Sequence, residues 1–209
     1  MTETKPIKDI SEIRNMMEKA SRVISLSGLS GVFAGFYAII GAALAHWYFH
    51  IYIIENNESL IFSSLDLYDE IPIFVILLAA LVFTLSVGSA VYFTTRNSKK
   101  KSLPLWDNTT KKLLINLFVP LFAGGIFILV IIYKSYYDLV VPASLIFYGL
   151  ALLNGGHFTY KDIRYLGYLE IVLGFVSFLS IQYDIIIWSI GFGLLHIIYG
   201  VVMYYKYER

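Results

Sequence analysis

The chain alternates between long apolar runs and short polar segments. Five runs lack Lys, Arg, Asp and Glu: 23–54, 71–95, 113–133, 139–160 and 185–205. A sixth run, 165–181, is interrupted by Glu170 alone. Because a helix needs roughly 20 apolar residues to cross a bilayer, the pattern predicts six transmembrane helices. Their expected bounds are 23–50, 71–95, 113–133, 139–156, 165–181 and 185–205.

The composition excludes most soluble classes. Of 209 residues, 58% are hydrophobic and only 15% are charged, whereas soluble proteins carry about 25% charged residues. The chain has no Cys, which excludes disulfide scaffolds and thiolate metal sites. Its net charge of +1 argues against nucleic acid as a partner. We therefore expect an all-α polytopic membrane protein with its six transmembrane helices in one bundle.

Residues 1–22 precede the first apolar run and have a different pattern. Asp9 and Glu12 form a D-x-x-E start that resembles a capping box. Apolar residues then recur at helical spacing: Ile10, Ile13, Met17, Ala20 and Ile24. The pattern predicts a short N-terminal amphipathic helix on the inner membrane surface, and docking of a cytoplasmic partner is a compatible alternative. We thus divide the chain into a cytoplasmic segment, 1–22, and a transmembrane domain, 23–209.

The charges predict an orientation, because cytoplasmic loops collect Lys and Arg. Fifteen of the sixteen basic residues fall on one predicted side, which holds both termini and the second and fourth loops. The other predicted side has one basic residue, Lys134. It carries seven acidic residues: Glu55, Glu58, Asp66, Asp69, Glu70, Asp138 and Asp184. We expect both termini in the cytoplasm and a location in the cell inner (cytoplasmic) membrane.

The second loop, residues 96–112, is the most basic stretch of the chain. It reads RNSKKKSLPLWDNTTKK. Basic residues near the surface of a membrane attract anionic lipids, by about 1 kcal/mol each. We expect this loop to contact anionic lipid headgroups at the cytoplasmic face of the lipid bilayer, and a dedicated lipid or protein site is the alternative.

Small residues form stripes along three predicted helices. Helix 1 carries Gly28, Gly31, Gly35, Ala38, Ala42 and Ala45 at spacings of three and four. On helix 5, Gly167 and Gly174 share a face with Glu170 and Ser177, and on helix 6 Gly193 and Gly200 share a face with Ser189 and His196. Small residues let helices approach closely in lipid. The stripes predict packing within the bundle, and a homo- or hetero-oligomer interface is the alternative.

Glu170 and His196 are the ionisable groups placed deepest in the predicted packing faces. Glu170 lies about 8 Å and His196 about 13 Å from the cytoplasmic end of its helix, so their side chains can meet. Such groups are costly in lipid unless they are paired or wetted. Further polar residues share the inner half of the bundle: Ser27, Ser30, Ser89, Asn116, Asn154 and His157. Together they predict a cytoplasm-facing polar pocket, with a purely structural Glu170–His196 pair as the alternative.

Other chemistry is less well supported by the pattern. His46 and His50 lie at i and i+4 near the outer end of helix 1 but lack a defined third ligand, so they are weak metal candidates. Ser27 and Ser30 share a depth with His196 and Glu170, yet no nucleophile motif accompanies them. We expect no catalytic residue, no metal and no cofactor. Pro120 and the glycines 124 and 125 predict a break in helix 3.

Three stretches carry a family resemblance: ISLSGLSGVFAGFYAIIGA, LIFYGLALLNGGHFTYKDIRYLGYLEIVLG and GFGLLHIIYGVVMYYKYER. With them the chain resembles an uncharacterised family of six-span inner-membrane proteins from Bacteroidota-type bacteria. The resemblance implies a bacterial inner membrane and brings no activity. At the level of fold only, the chain is similar to the small six-span substrate-binding subunits of energy-coupling-factor vitamin transporters, without their substrate residues.

Three functions follow from the sequence in order of preference. The first is a non-enzymatic accessory, sensor or partner-binding membrane subunit. The second is a small-solute binding or transport protein that uses the polar pocket. The third is an intramembrane enzyme acting on lipid.

Overall fold

The computed structural model describes residues 27–55, 73–101 and 106–209. Within them the chain forms long helices and no strand. We number these helices α1 (Gly28–Glu55), α2 (Ile73–Lys100), α3 (Asn108–Tyr133), α4 (Val140–Gly155), α5 (Lys161–Leu179) and α6 (Asp184–Glu208). One 3₁₀ turn precedes α4 and another precedes α6. The predicted amphipathic helix at 1–22 and most of the acidic loop at 55–70 lie outside the described residues.

Five of these helices are long and apolar enough to cross a membrane: α1, α2, α3, α4 with its preceding turn, and α6. The prediction of an all-helical chain with several membrane-length helices is therefore confirmed. Helix α5 is not among the five, because its 19 residues include the charged side chains of Lys161, Asp162, Arg164 and Glu170.

Helix α6 lies at the centre of the packing. It contacts α1 on one side and α4 and α5 on another. Helix α2 packs mainly against α1, and α3 packs mainly against α4, so these two helices occupy the outer positions. The interior that can shelter a polar group is thus formed by α4, α5 and α6.

Glycines bring the backbones of α1 and α6 into contact. A Cβ atom at Gly200 would lie 2.5 Å from both the carbonyl oxygen of Gly28 and the amide nitrogen of Val32. A Cβ at Gly35 would lie 2.5 Å from the carbonyl oxygen of Gly193. Because real Cβ atoms do not approach backbone so closely, only glycine fits this contact. The small-residue stripe of α1, in which Ala38 and Ala42 are also buried, faces α6.

Helices α4 and α5 also approach each other closely at glycines. A Cβ at Gly149 would lie 2.6 Å from the carbonyl oxygen of Gly167, and a Cβ at Gly167 would lie 2.8 Å from that of Gly149. Two helical turns further along α5, a Cβ at Gly174 would lie close to the side chain of Ile146 and to the carbonyl oxygen of Pro142. This close approach places the inward face of α5, with Glu170 on it, directly against α4.

Helices α3 and α6 differ from what the sequence pattern predicts. Helix α3 runs without interruption through Pro120, so the predicted break is wrong. Proline is tolerated in membrane-type helices because neighbouring groups and small backbone adjustments satisfy the freed carbonyl. Helix α6, by contrast, contains π-helical segments at Ser189–Leu195 and Tyr204–Glu208, which the sequence pattern does not predict.

Residues near the C-terminus tie several helices together at one end of the structure. The Glu208 carboxylate accepts hydrogen bonds from the Ser27 hydroxyl and from the Gly28 backbone amide at the start of α1. The Lys101 ammonium, just after α2, donates to the backbone oxygen of Tyr207 at 3.0 Å. A carboxylate at a helix N-terminus accepts hydrogen bonds from the unpaired backbone amides of the first turn and interacts favourably with the helix dipole. The starts of α1 and the ends of α2 and α6 therefore lie at the same end.

We predict that Gly200→Ala destabilises the protein by about 1–3 kcal/mol, because the added methyl group overlaps backbone of α1 and forces the helices apart. The measurement is thermal or denaturant unfolding of the purified protein in a mild detergent. Gly125→Ala is the matched control, since a Cβ at Gly125 meets nothing within 4 Å. Equal stability of the two variants would contradict the close contact.

Candidate functional site

The carboxyl group of Glu170 is fully enclosed in the described interior. Its side chain is 0% exposed, and neither of its oxygens has a hydrogen-bond partner among the described residues. Glu170 lies on the inward face of α5, in line with the buried residues Gly167, Gly174 and Ser177. An ionised carboxylate without partners is very costly in such surroundings, so the state of this group depends on its nearest neighbours.

His196 on α6 is the nearest ionisable neighbour. Its Nδ1 atom lies 3.5 Å from Oε1 of Glu170 and 3.0 Å from the carbonyl oxygen of Gly191. Its Nε2 atom lies 2.7 Å from the hydroxyl oxygen of Tyr148 on α4. His196 is 6% exposed. Side chains from α4, α5 and α6 thus meet in one cluster, Glu170–His196–Tyr148, which we call the polar triad.

The partners of His196 indicate where its hydrogen lies. The carbonyl oxygen of Gly191 only accepts hydrogen bonds, so the Nδ1 atom that faces it carries the hydrogen. In a neutral imidazole, Nε2 then accepts the hydrogen bond that the Tyr148 hydroxyl donates. This assignment directs the Nδ1–H group to the Gly191 carbonyl, while Oε1 of Glu170 lies 3.5 Å from the same nitrogen without a hydrogen bond to it.

The local shape of α6 makes this cluster. Gly191 and His196 are five residues apart: Gly191 lies within the π-helical segment Ser189–Leu195, and His196 directly follows it. A π turn brings residues at i and i+5 together and is frequent at functional sites. Glycine at 191 is also required by space, since a Cβ there would lie 2.6 Å from Oε2 of Glu170 and 2.7 Å from Leu145.

Aromatic rings enclose the imidazole. The Phe192 ring stacks on His196 at a centroid distance of 5.9 Å and contacts Tyr148 at 4.9 Å. Trp188 contacts Phe192 from the next turn. Rings of this size remove much surface from water, so the triad sits in a largely apolar environment.

The structure brings together only part of the predicted polar layer. Glu170 and His196 touch, while the other predicted pocket residues bind groups outside the triad or are exposed. Ser27 and Ser30 form hydrogen bonds at the start of α1. The amide of Asn116 donates to Lys112 within α3, and Asn154 and His157 are exposed at the end of α4. The role of these residues and the polar pocket stay predictions.

Ser89 lies at a different place, in a groove between α1 and α2. Its hydroxyl donates to the backbone oxygen of Ser86 within α2. The groove has a volume of about 370 Å³ and is lined largely by aromatic side chains, among them Phe33, Tyr37 and Tyr92. None of its lining residues belongs to the triad.

The predicted metal candidates are exposed on α1. His46 and His50 both lie on the outer surface of the helix. In the described parts of the chain, no three His, Asp or Glu side chains cluster in a way that could hold a metal ion. The acidic loop that follows α1 lies mostly outside those parts.

Tyr148 is the member of the triad that the sequence does not identify. The chain contains seventeen tyrosines, and nothing in the spacing of α4 distinguishes this one. Its position becomes informative only once α4 is known to pack against α6. The hydroxyl of Tyr199 is similar: it is buried without a hydrogen-bond partner, one turn beyond His196 on α6.

A second polar cluster lies at the start of α5. The carboxylate of Asp162 accepts hydrogen bonds from Lys206 at 3.0 Å and from the Tyr207 hydroxyl at 2.7 Å. Partial burial of Asp162 opposes its ionisation, but the hydrogen bonds from Tyr207 and Lys206 outweigh this effect and lower its pKa. The ends of α5 and α6 are thereby joined by a charged contact.

Comparison of the chain with protein-family models, with curated proteins and with solved structures finds no match. The resemblance to six-span bacterial membrane proteins therefore stays a prediction. Any functional assignment has to come from the geometry of the helices and of the polar triad.

Proposed function

We propose that the chain is a six-span protein of the bacterial inner membrane, with both termini in the cytoplasm, that acts as a non-enzymatic sensor or partner-binding subunit. In this proposal α5 is the sixth span despite its charges. Its charged residues Lys161, Asp162 and Arg164 lie in the first turn, at the membrane surface, and Glu170 is sheltered between helices.

The outer helices support a membrane location. Large apolar side chains are exposed along α2 and α3, among them Leu77, Phe83, Val91, Phe118, Phe122 and Leu129. Soluble monomers rarely expose apolar patches of that extent. A bilayer covers them, and it also accounts for helices that are apolar on every side.

The polar triad is the observation that carries the sensor assignment. It links α4, α5 and α6 through one imidazole, and the Glu170 carboxyl is shielded from both water and lipid. A buried polar network that joins several helices makes their packing depend on its hydrogen bonds. This arrangement favours a switch over a solute pocket, which would need free space beside Glu170.

The absence of Cys from the chain allows a direct test of topology. We predict that a membrane-impermeant maleimide added to intact spheroplasts labels Lys134→Cys and Tyr183→Cys. It should not label Lys99→Cys, Lys161→Cys or Arg209→Cys until the membrane is permeabilised. Labelling of Lys161→Cys and Tyr183→Cys from the same side would contradict a membrane crossing by α5.

The functional role is tested with variants of the triad in a strain that lacks the gene. We predict that the wild-type chain and the Ser144→Ala control restore the transcript profile of the parent strain. Glu170→Gln and His196→Gln, at equal levels in the membrane, should fail to restore it because the switch is lost. Full restoration by both triad variants would contradict a sensor built on Glu170 and His196.

A further inference from the structure

We propose that Tyr148, His196 and Glu170 form a proton relay in which Glu170 is the terminal acceptor. The proposal rests on the membrane placement given above and names the proton as the ligand of the same site. It depends on three observations: the order of the donor and acceptor atoms, the space beside the carboxyl, and the unpaired state of that carboxyl.

The His196 ring lies between the Tyr148 hydroxyl and the Glu170 carboxyl, which is the order that a proton relay requires. The Tyr148 hydroxyl lies 2.7 Å from Nε2 of His196, and Nδ1 on the opposite side of the ring lies 3.5 Å from Oε1 of Glu170. Imidazole can accept a proton at one nitrogen and release another proton from the second nitrogen. His196 therefore connects the other two side chains through its ring.

The space between Glu170 and α6 is narrow. A single methyl group placed at Gly191 would lie 2.6 Å from Oε2 of Glu170. Leu145 closes the neighbouring side and is 0% exposed. A metal ion or an organic solute needs room and additional oxygen or nitrogen ligands. A proton needs neither, and it removes the charge that is so costly to bury.

The proposed proton transfer runs from Tyr148 through His196 to Glu170, and it is reversible. Nε2 of His196 takes the hydroxyl proton of Tyr148, the Nδ1–H bond breaks, and its proton forms a bond to Oε1 of Glu170. The tyrosine oxygen regains a proton from water at the end of the helices. The net change is one proton moved from water to the Glu170 carboxylate and a change of His196 from the Nδ1–H to the Nε2–H tautomer, with no electron transferred. The ring returns to the Nδ1–H tautomer when the proton moves back.

One ionisable side chain outside the triad packs beside it: Tyr199 of α6, which contacts the same core residues as Tyr148. The triad itself has one such group from each of three helices. From α4 the group is Tyr148, from α5 it is Glu170, and from α6 it is His196 itself. Helix α1 presents Gly31 to the backbone of His196, and glycine has no titratable side chain. The protonation of Glu170 is thus set chiefly by His196 and Tyr148.

Tyr199 lies on the side from which a proton would arrive. Its ring and that of Tyr148 pack against the same cluster of Leu152, Ile163 and Leu166. Its buried hydroxyl has no hydrogen-bond partner in the described structure. Two turns further along α6, Tyr207 donates to Asp162 at the end of the helices.

The relay is tested by infrared spectroscopy of the full chain in lipid nanodiscs. The difference spectrum between wild type and Glu170→Gln isolates the carboxyl of Glu170. We expect a protonated carboxylic acid band at neutral pH that shifts when H₂O is replaced by D₂O. Tyr148→Phe should keep the band and slow its exchange by about 10²-fold, since a positioned proton-transfer group is typically worth ~10²–10⁴ in rate. Ser144→Ala, which removes another hydroxyl from α4, is the matched control.

The slowing is diagnostic, because a variant that merely loosens the packing would speed the exchange. An exchange rate that is unchanged or faster in Tyr148→Phe overturns the relay, as does a carboxylate band at every pH at which the protein stays folded. If Tyr148→Phe fails to fold, His196→Gln tests the same step. If Glu170→Gln fails to fold, a ¹³C-carboxyl glutamate label identifies the band.

This experiment is separate from the tests of the proposed function. It reports the relay whether or not the cell responds to the triad variants. The maleimide test reports the membrane crossing of α5 whatever the infrared result, so failure of one proposal is distinguishable from failure of the other.

Discussion

The need to accommodate one buried carboxyl group constrains the centre of this protein. Glu170 has no exposed surface and no hydrogen-bond partner in the described structure, and Nδ1 of His196 lies 3.5 Å from its carboxyl. Inserting such a group into an apolar interior is expensive unless its charge is removed or matched. The π-helical segment places His196 beside Glu170. Glycine at position 191 leaves the room that the Glu170 carboxyl occupies.

Glycine makes the contact geometrically feasible. Gly149 and Gly167 bring α4 and α5 together at backbone distance, while Gly35, Gly193 and Gly200 do the same for α1 and α6. The α4–α5 contact brings together the two helices that carry Tyr148 and Glu170, and the α1–α6 contact packs the helix that carries His196. The small-residue stripes and the polar triad are therefore parts of the same arrangement, since dispersion and close packing bring helices together in lipid.

Much of this arrangement follows from the sequence, and the reasons for the remainder are physical. Each of the six apolar runs contains a helix, and α4 begins and ends within one residue of its predicted bounds. Helix α5 starts at Lys161 rather than 165, because polar residues end a membrane span without ending a helix. The meeting of Glu170 with His196 was foreseeable from their depth and from the small residues beside them. Tyr148 was not, because its role depends on the packing partner of α4 rather than on a local pattern.

The protonation state of His196 is the most direct test of this account. It is measured by ¹⁵N solid-state nuclear magnetic resonance of histidine-labelled protein in lipid, with His196→Gln to assign the signal. We predict a neutral imidazole that carries its hydrogen on Nδ1 at neutral pH, and whose Nε2 signal changes in Tyr148→Phe. A doubly protonated His196, or an Nε2 signal that is insensitive to the loss of the Tyr148 hydroxyl, would contradict the hydrogen-bond order on which the triad depends.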